Sequence, residues 1–407
     1  MSQTILDSIA LGYQPVWNRR RQLAAVRLRV LTQHAEAVDG THLLRLLSGG
    51  WPAAAPTLIF AISSPVLLQQ ALTSDPVPNT WIEVPGALFD STDGMAQLAL
   101  AVRRGHRLLR HADLATVRGE LAAPLDVCSL LRVSAQEVLE TLRLRPATPG
   151  AVPTQRSPIL PGQLYEGVCN RALAEHCLDE AGAWGILGWP DDDVLHAYRH
   201  QPLGCDASVI AQIRQAIGLD SSLDLIERLV RQDPVLVYRL LQLVNSAAYG
   251  LRHEIDSVRH ALMMLGFTAL NRWLADQLAG STSDPALHPV RYAQVMYSRL
   301  AQHLLESGST DNLRAEVYTT ALFSQLDVLL QLPMADLLNR LPMSGRVMSA
   351  LLRQEGPYHV FLDVARAQAD VDHLHRLPEV CERHEMSLEH ANRSLIRMLT
   401  TSRDQGA

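Results

Sequence analysis

The chain offers many groups able to hold a cation or move a proton: 16 histidines and 42 acidic residues among 407. His373 and His375 lie two apart, with Asp370 and Asp372 just before them. Imidazole and carboxylate together can bind a divalent ion. Ligands on one helix favour spacings of three or four, so this group reads instead as a polar surface turn. His384 and His390 follow further on. His253 and His260 stand two helical turns apart, with Ile255 and Ser257 breaking any single helix between them. Asp191-Asp192-Asp193 has the charge of a metal site, but it follows a proline and precedes a helix, where acidic residues favour the first turn. Arg299, His303 and Glu306 share one helical face and read as an ion-pair stripe.

Cys128, Cys169, Cys177, Cys205 and Cys381 contain no C-x-x-C pair, and their number is odd. A disulfide framework or structural zinc site is not expected, and reduced thiols in a cytosol are. No run of about 18 apolar residues suggests a membrane span, and no basic-then-apolar leader opens the chain. The net charge is −6, and the Arg runs 19–21 and 103–104 read as solvated surface, so no nucleic-acid partner is expected. Hydrophobic residues make up 47% and aromatics only 5%, which suits cores of Leu, Ala and Val. Trp184, Trp189 and Trp273 are read as core rather than as interface anchors. The length favours two domains.

Short apolar segments alternate with helical ones in the first half. Thr57–Ile62 and Thr80–Val84 are predicted strands, with a helix over Pro65–Thr73 capped by Ser64 between them. A helix over Asp93–Arg103 should stop at Gly105. Arg107–Leu109, Asp126–Leu131 and Gln163–Val168 read as further strands. Ser134 and Glu137 form a capping box for a helix reaching Arg143. Asn170–Ala181 reads as another helix, and the prolines between 146 and 161 as a long loop. Such alternation predicts a parallel α/β architecture. The second half is helical nearly throughout. Asp233 and Pro234 open a helix with an apolar stripe at Leu236, Val237, Leu240, Leu241 and Val244. Domain bounds of 1–196 and 197–407 follow.

Residues 220–274 resemble the heart of the HDOD family. The residues carrying this are Asp233-Pro234, Arg239-Leu240-Leu241, Val244-Asn245-Ser246-Ala247, Tyr249-Gly250, Ile255, Ser257-Val258, Ala261-Leu262 and Leu265-Gly266. The motif has a structural reading. Asn245 and Ser246 can satisfy backbone groups at a helix end, Tyr249 offers an apolar face with a polar tip, and Gly250 and Gly266 tolerate positive φ. Neither a metal-ligand cluster nor a nucleophile with a base is present. The resemblance implies an all-α bundle like that of HD-type phosphohydrolases. Where such enzymes carry an adjacent His-Asp, this chain has Ser324-Gln325.

The later segment from Thr320 to Leu352 resembles HDOD proteins that carry a degenerate EAL domain in front. Gly12–Val16, Glu166-Gly167-Val168 and Gly182–Pro190 resemble strands of that domain. EAL domains are barrel-type cyclic-di-GMP phosphodiesterases using two divalent cations. Carried over by resemblance, the signature Glu falls at Val26 and the next metal ligand at Ala61. The third-strand Glu falls at Gly86, with Glu83 close by. The paired aspartates fall at His111 and Ala112, and the following Lys and Asp at Ser129 and Leu131. Glu166 remains, its partner Glu reads Cys169, and the late Gln reads Trp184. Two cations need several anionic oxygens at the barrel rim. The expected fold is therefore a degenerate EAL-type, TIM-like α/β barrel followed by an all-α HDOD bundle. The expected protein is a cytoplasmic, non-catalytic regulator with no cofactor and no metal. It would act through contacts with unidentified signalling proteins, self-association included, in cyclic-di-GMP, motility or stress signalling. A cyclic-di-GMP receptor, or a residual phosphodiesterase, is the alternative; the lost groups argue against both.

Overall fold

The computed structural model describes residues 5–33, 39–49, 51, 55–120, 125, 127–144, 157–249, 255, 257–306 and 308–401. The chain forms two compact units, Met1–Asp193 with Ala367–Ala407, and Val194–Arg366. No helix among the described residues is long and apolar enough to cross a membrane.

The first unit holds a closed barrel of eight strands in sequence order. These are β1 (Ile9–Trp17), β2 (Leu23–Thr32), β3 (Thr57–Ile62), β4 (Thr80–Pro85), β5 (Arg107–Asp113), β6 (Cys128–Arg132), β7 (Leu164–Glu166) and β8 (Gly185–Leu187). β1 runs antiparallel to both β2 and β8. The other neighbours are parallel, joined by helical crossovers. Local signals act as expected. The Ser64 hydroxyl accepts from the Leu67 N–H at the start of Pro65–Thr73, and Gly105 ends Thr92–Arg104 at φ 101°. Glu137 returns a carboxylate to the Ser134 N–H at 2.8 Å, closing the capping box. The segment from Asn170 differs: its α-helix covers Arg171–Glu175 and widens into a π-turn, His176–Glu180.

Side chains alternate faces along a strand, so residues two apart share one face. Val16, Ala25, Ile59, Leu109, Leu130, Leu164 and Leu187 pack into one apolar layer, with Trp81, Cys128 and Trp184 against it. This layer fills the barrel, as inward side chains of small barrels do. The residue two positions toward the mouth then faces the open end of each strand.

Residues 367–401 complete this unit. β8 pairs with β1 only at Val16 and Trp17, so the opposite end of that edge needs other partners. The Leu11 N–H donates to Asn392 Oδ1 at 3.1 Å. Asn392 Nδ2 donates to the carbonyls of Leu6 at 2.8 Å and Ile9 at 2.7 Å. Gln368 Nε2 donates to the Leu11 carbonyl at 3.3 Å. Gly12 permits the approach: a Cβ there would lie 3.0 Å from the Gln368 carbonyl oxygen and from Leu374. The expected bounds placed these residues with the second domain, whereas their contacts lie in the barrel unit.

The second unit is helical, with one isolated bridge, Asp206 to Thr282, among its described residues. Asp233 is fully buried. One carboxylate oxygen accepts from the Val235 N–H at 2.9 Å, capping Pro234–Val244. The other accepts from the Asp206 N–H at 2.6 Å. The buried Arg291 guanidinium lies 3.3 Å from Asp206 and 3.6 Å from Asp233. It also donates to the Gly204 carbonyl at 2.7 Å. Asn245 acts as predicted at the helix end. Its Nδ2 donates to the carbonyls of Leu241 and Ile255, and its Oδ1 accepts from the Ile255 N–H at 2.8 Å. Ser246 accepts the Tyr249 N–H through its backbone in a short 3₁₀ turn. Ser257 caps the helix beginning at Val258. Gly266 takes φ 71° and ψ 159°, kinking Val258–Leu278 into two helices. Gly250 and His253 lie outside the described residues.

Candidate functional site

The carboxyl ends of the barrel strands surround a cavity of about 370 Å³. Each strand from β2 to β7 places a residue there two positions beyond the apolar layer: Arg27, Ala61, Glu83, His111, Arg132 and Glu166. Gln14 does the same on the reversed β1. Catalytic sites of such barrels occupy this face.

The charges here are mostly committed to one another. Arg27 grips Glu83 bidentately, with Nε to Oε2 at 2.7 Å and Nη2 to Oε1 at 2.5 Å. Its third nitrogen donates to Gln14 Oε1 at 3.1 Å and lies 3.7 Å from Glu166. His111 spans the two carboxylates, with Nδ1 3.3 Å from Glu83 and Nε2 2.7 Å from Glu166. Arg132 Nε adds a bond to Glu166 at 3.1 Å. Burial pushes the Glu166 carboxyl upward in pKa. The hydrogen bond from His111 and the charges of His111, Arg27 and Arg132 outweigh it and hold the group below the ordinary carboxylate value.

Three of the sequence-predicted positions, Ala61, His111 and Glu166, line this cavity. On β2 the mouth-facing residue is Arg27, one place beyond Val26, which therefore belongs to the opposite face. Ala112 and Leu131 are displaced in the same way from His111 and Arg132. Ser129 sits between the inward Cys128 and Leu130, and its N–H is bonded by Gln163 Oε1 at 2.6 Å. Gly86 starts a 3₁₀ turn beyond β4, and Glu83 with Pro85 faces the cavity instead. Cys169 is exposed outside the lining. Trp184 lies in the apolar layer, its ring centroid 5.1 Å from that of Trp81. Gln14, Arg27, Arg29 and Arg132 also line the cavity without any sequence signal having marked them, and Asp372, weighed above only beside His373, lines it too. The two-residue period from the apolar layer would have found all but the last.

In the helical unit, Ser324-Gln325 stands at the break between Asp311–Phe323 and Leu326–Leu330. The buried Gln294 donates to the Ala321 carbonyl at 2.6 Å and to the Ser324 hydroxyl at 3.1 Å. Neutral amides and a hydroxyl thus satisfy this helix end. His373 Nδ1 lies 2.9 Å from Asp370 Oδ2 on a half-exposed turn capped by Asp370. Asp193 accepts the Arg171 N–H at 2.8 Å from the first turn of Asp191–His196. Burial, aided by Asp192, pushes the Asp191 carboxyl up to about 7.

Residues 204–336 match the HDOD domain family. Over 139 residues the chain is 30% identical to the cyclic di-GMP phosphodiesterase CdgJ of Vibrio cholerae, covering 34% of this chain and 32% of that protein. It is 25% identical over 140 residues to the uncharacterized protein YuxH of Bacillus subtilis, covering 34% of each. The match spans about a third of the length of these curated relatives. Among solved structures, the chain is similar to the MmoQ response regulator of Methylococcus capsulatus, at 18% identity and TM-score 0.37 over 48% of this chain and 98% of that one. It is also similar to the Xanthomonas citri FimX EAL domain in complex with c-diGMP, at 17% identity and TM-score 0.30 over 45% of this chain and 86% of that one. Within the helical unit, residues 204–336 are an HDOD domain.

Proposed function

We propose that this protein is a non-catalytic regulator linked to cyclic-di-GMP signalling, acting through protein–protein contacts. One observation carries the reading: Glu83 and Glu166, the strand-borne carboxylates of the barrel mouth, are already held by Arg27, His111 and Arg132. A divalent ion would have to displace a bidentate guanidinium and settle beside two guanidinium groups and an imidazole. Side chains thereby supply the positive charge that metal-assisted hydrolysis takes from ions. The link to cyclic-di-GMP rests on the EAL resemblance and on the name of the Vibrio cholerae relative. A cyclic-di-GMP receptor is the second reading. Arg27, Arg29 and Arg132 favour it, while Glu83, Glu166 and Asp372 in the same lining oppose a doubly anionic ligand.

Incubation of the full chain with cyclic-di-GMP and Mg²⁺ or Mn²⁺ tests this. We expect no turnover above buffer. Hydrolysis that disappears in Glu166→Ala would overturn the proposal, and micromolar binding by calorimetry without turnover would promote the receptor. Affinity capture from the native cell with the full chain, together with light scattering for self-association, would identify what it contacts.

A further inference from the structure

The committed charges at the barrel mouth leave two groups over. Among the described residues, Arg29 and Asp372 line the cavity yet have no ion-pair or hydrogen-bond partner there. Arg29 shares the inward face of β2 with Arg27, two positions on. Its cross-strand neighbour on β3 is Ala61, whose methyl leaves room beside the guanidinium. Asp372 enters from the 3₁₀ turn Val371–Arg376, in the segment that also packs on Gly12. Among the described residues, one uncommitted cation and one uncommitted anion therefore line the same cavity, with Ser63 and Gln14 as neutral hydrogen-bonding groups.

We propose that the barrel mouth binds a small zwitterion of the amino-acid class, its carboxylate against Arg29 and its ammonium against Asp372. The guanidinium matches a carboxylate bidentately, and an ammonium needs an acceptor with no competing partner. Arg27, Glu83, His111, Glu166 and Arg132 satisfy one another, so they set the shape of the site without selecting a net charge. A cavity of about 370 Å³ falls within the range of small-ligand sites. An anion alone would meet Asp372, and a cation alone would meet Arg29, so each simpler ligand satisfies half of the site. Because Asp372 belongs to the C-terminal segment, the bound ligand would tie that segment to the barrel.

Zwitterion binding at Arg29 and Asp372 is independent of the proposed lack of catalysis, since hydrolysis of cyclic-di-GMP is measured separately. The test is thermal shift and calorimetry on the full chain with glycine, β-alanine, γ-aminobutyrate, L-lysine and L-glutamine at millimolar concentration. This series varies the separation and number of charged groups. At least one member should raise the melting midpoint, and its N-acetyl or amide derivative should not. Arg29→Ala and Asp372→Asn should each weaken that binding by about tenfold or more, while Arg29→Lys and Asp372→Glu retain part of it. Hydrogen exchange should slow across residues 368–376 when ligand binds, which a purely structural role for these side chains would not produce. The proposal is overturned if no member of the series binds. It is equally overturned if inorganic phosphate binds instead and Asp372→Asn strengthens that binding, because the mouth would then be an anion site.

Discussion

The barrel mouth and the buried heart of the HDOD domain both gather opposite charges, but they close them differently. In the helical unit, the Asp233 carboxylate and the Arg291 guanidinium are tied to backbone groups. Asp233 is fully buried and Arg291 is 2% exposed. That charge ties the start of one helix to neighbouring backbone. At the mouth, Arg27 is held by Glu83 and Gln14, but the cluster borders an open cavity with Arg29 and Asp372 to spare. Charge held inside the helical unit by backbone groups and a counter-ion is architecture. Charge at an open mouth that is used up only in part is a place where a ligand can enter.

Three perturbations would break or sharpen this contrast. The largest effect is expected from Asp233→Ala, which leaves Arg291 short of a counter-ion and removes a helix cap. Loss of one member of a buried ion cluster costs about 3–5 kcal/mol. Denaturant unfolding followed by a helix-sensitive signal should show it, and a change below about 1 kcal/mol would mean that the cluster is dispensable. Arg27→Met should cost less, about 1–3 kcal/mol, because solvent in the cavity can hydrate the freed Glu83 and Glu166. A loss equal to that of Asp233→Ala would show that the mouth is as closed as the helical interior. The smallest effect is the acid response of Glu166. Its folded pKa is depressed, so its contribution is complete above the unfolded value and is lost as pH falls through the folded one. As pH falls below the ordinary carboxylate value of 4.5, the melting midpoint should fall less steeply in Glu166→Gln than in the parent. Parallel acid slopes would mean that the His111 and Arg132 contacts do not hold in solution.

The helical unit was the more legible half because its signals are local. Asp233 before Pro234, Ser257 before Val258 and the positive φ of Gly266 each act within a turn or two of their own position. The β3 and β4 segments were legible for the same reason: short apolar runs between breakers. The barrel site was harder because a one-residue error on a strand moves a side chain to the opposite face. Placing the β2 position at Val26 hid Arg27, although Glu83 and Glu166 were in view. Registration of β2 depends on the turn from Asn18 to Gln22, where Arg21 takes φ 59°, and on pairing with β1. Asp372 was hidden for another reason. Its segment reads as polar surface until Asn392 and Gln368 are seen to bond with a strand hundreds of residues away.

Those distant bonds bear on how the molecule is made. Asn392 meets the Leu11 N–H across 381 positions of sequence, with the whole helical unit threaded between the two ends of the barrel unit. During synthesis the eight strands emerge first, yet the open edge near Leu6 waits for nearly all the remaining chain before its backbone groups find partners. Pairings of such long range are slow and expose strand edges meanwhile. A nascent or proteolysed fragment ending near residue 193 therefore presents a sticky seam, and one that keeps residues 367–401 in reach can seal it.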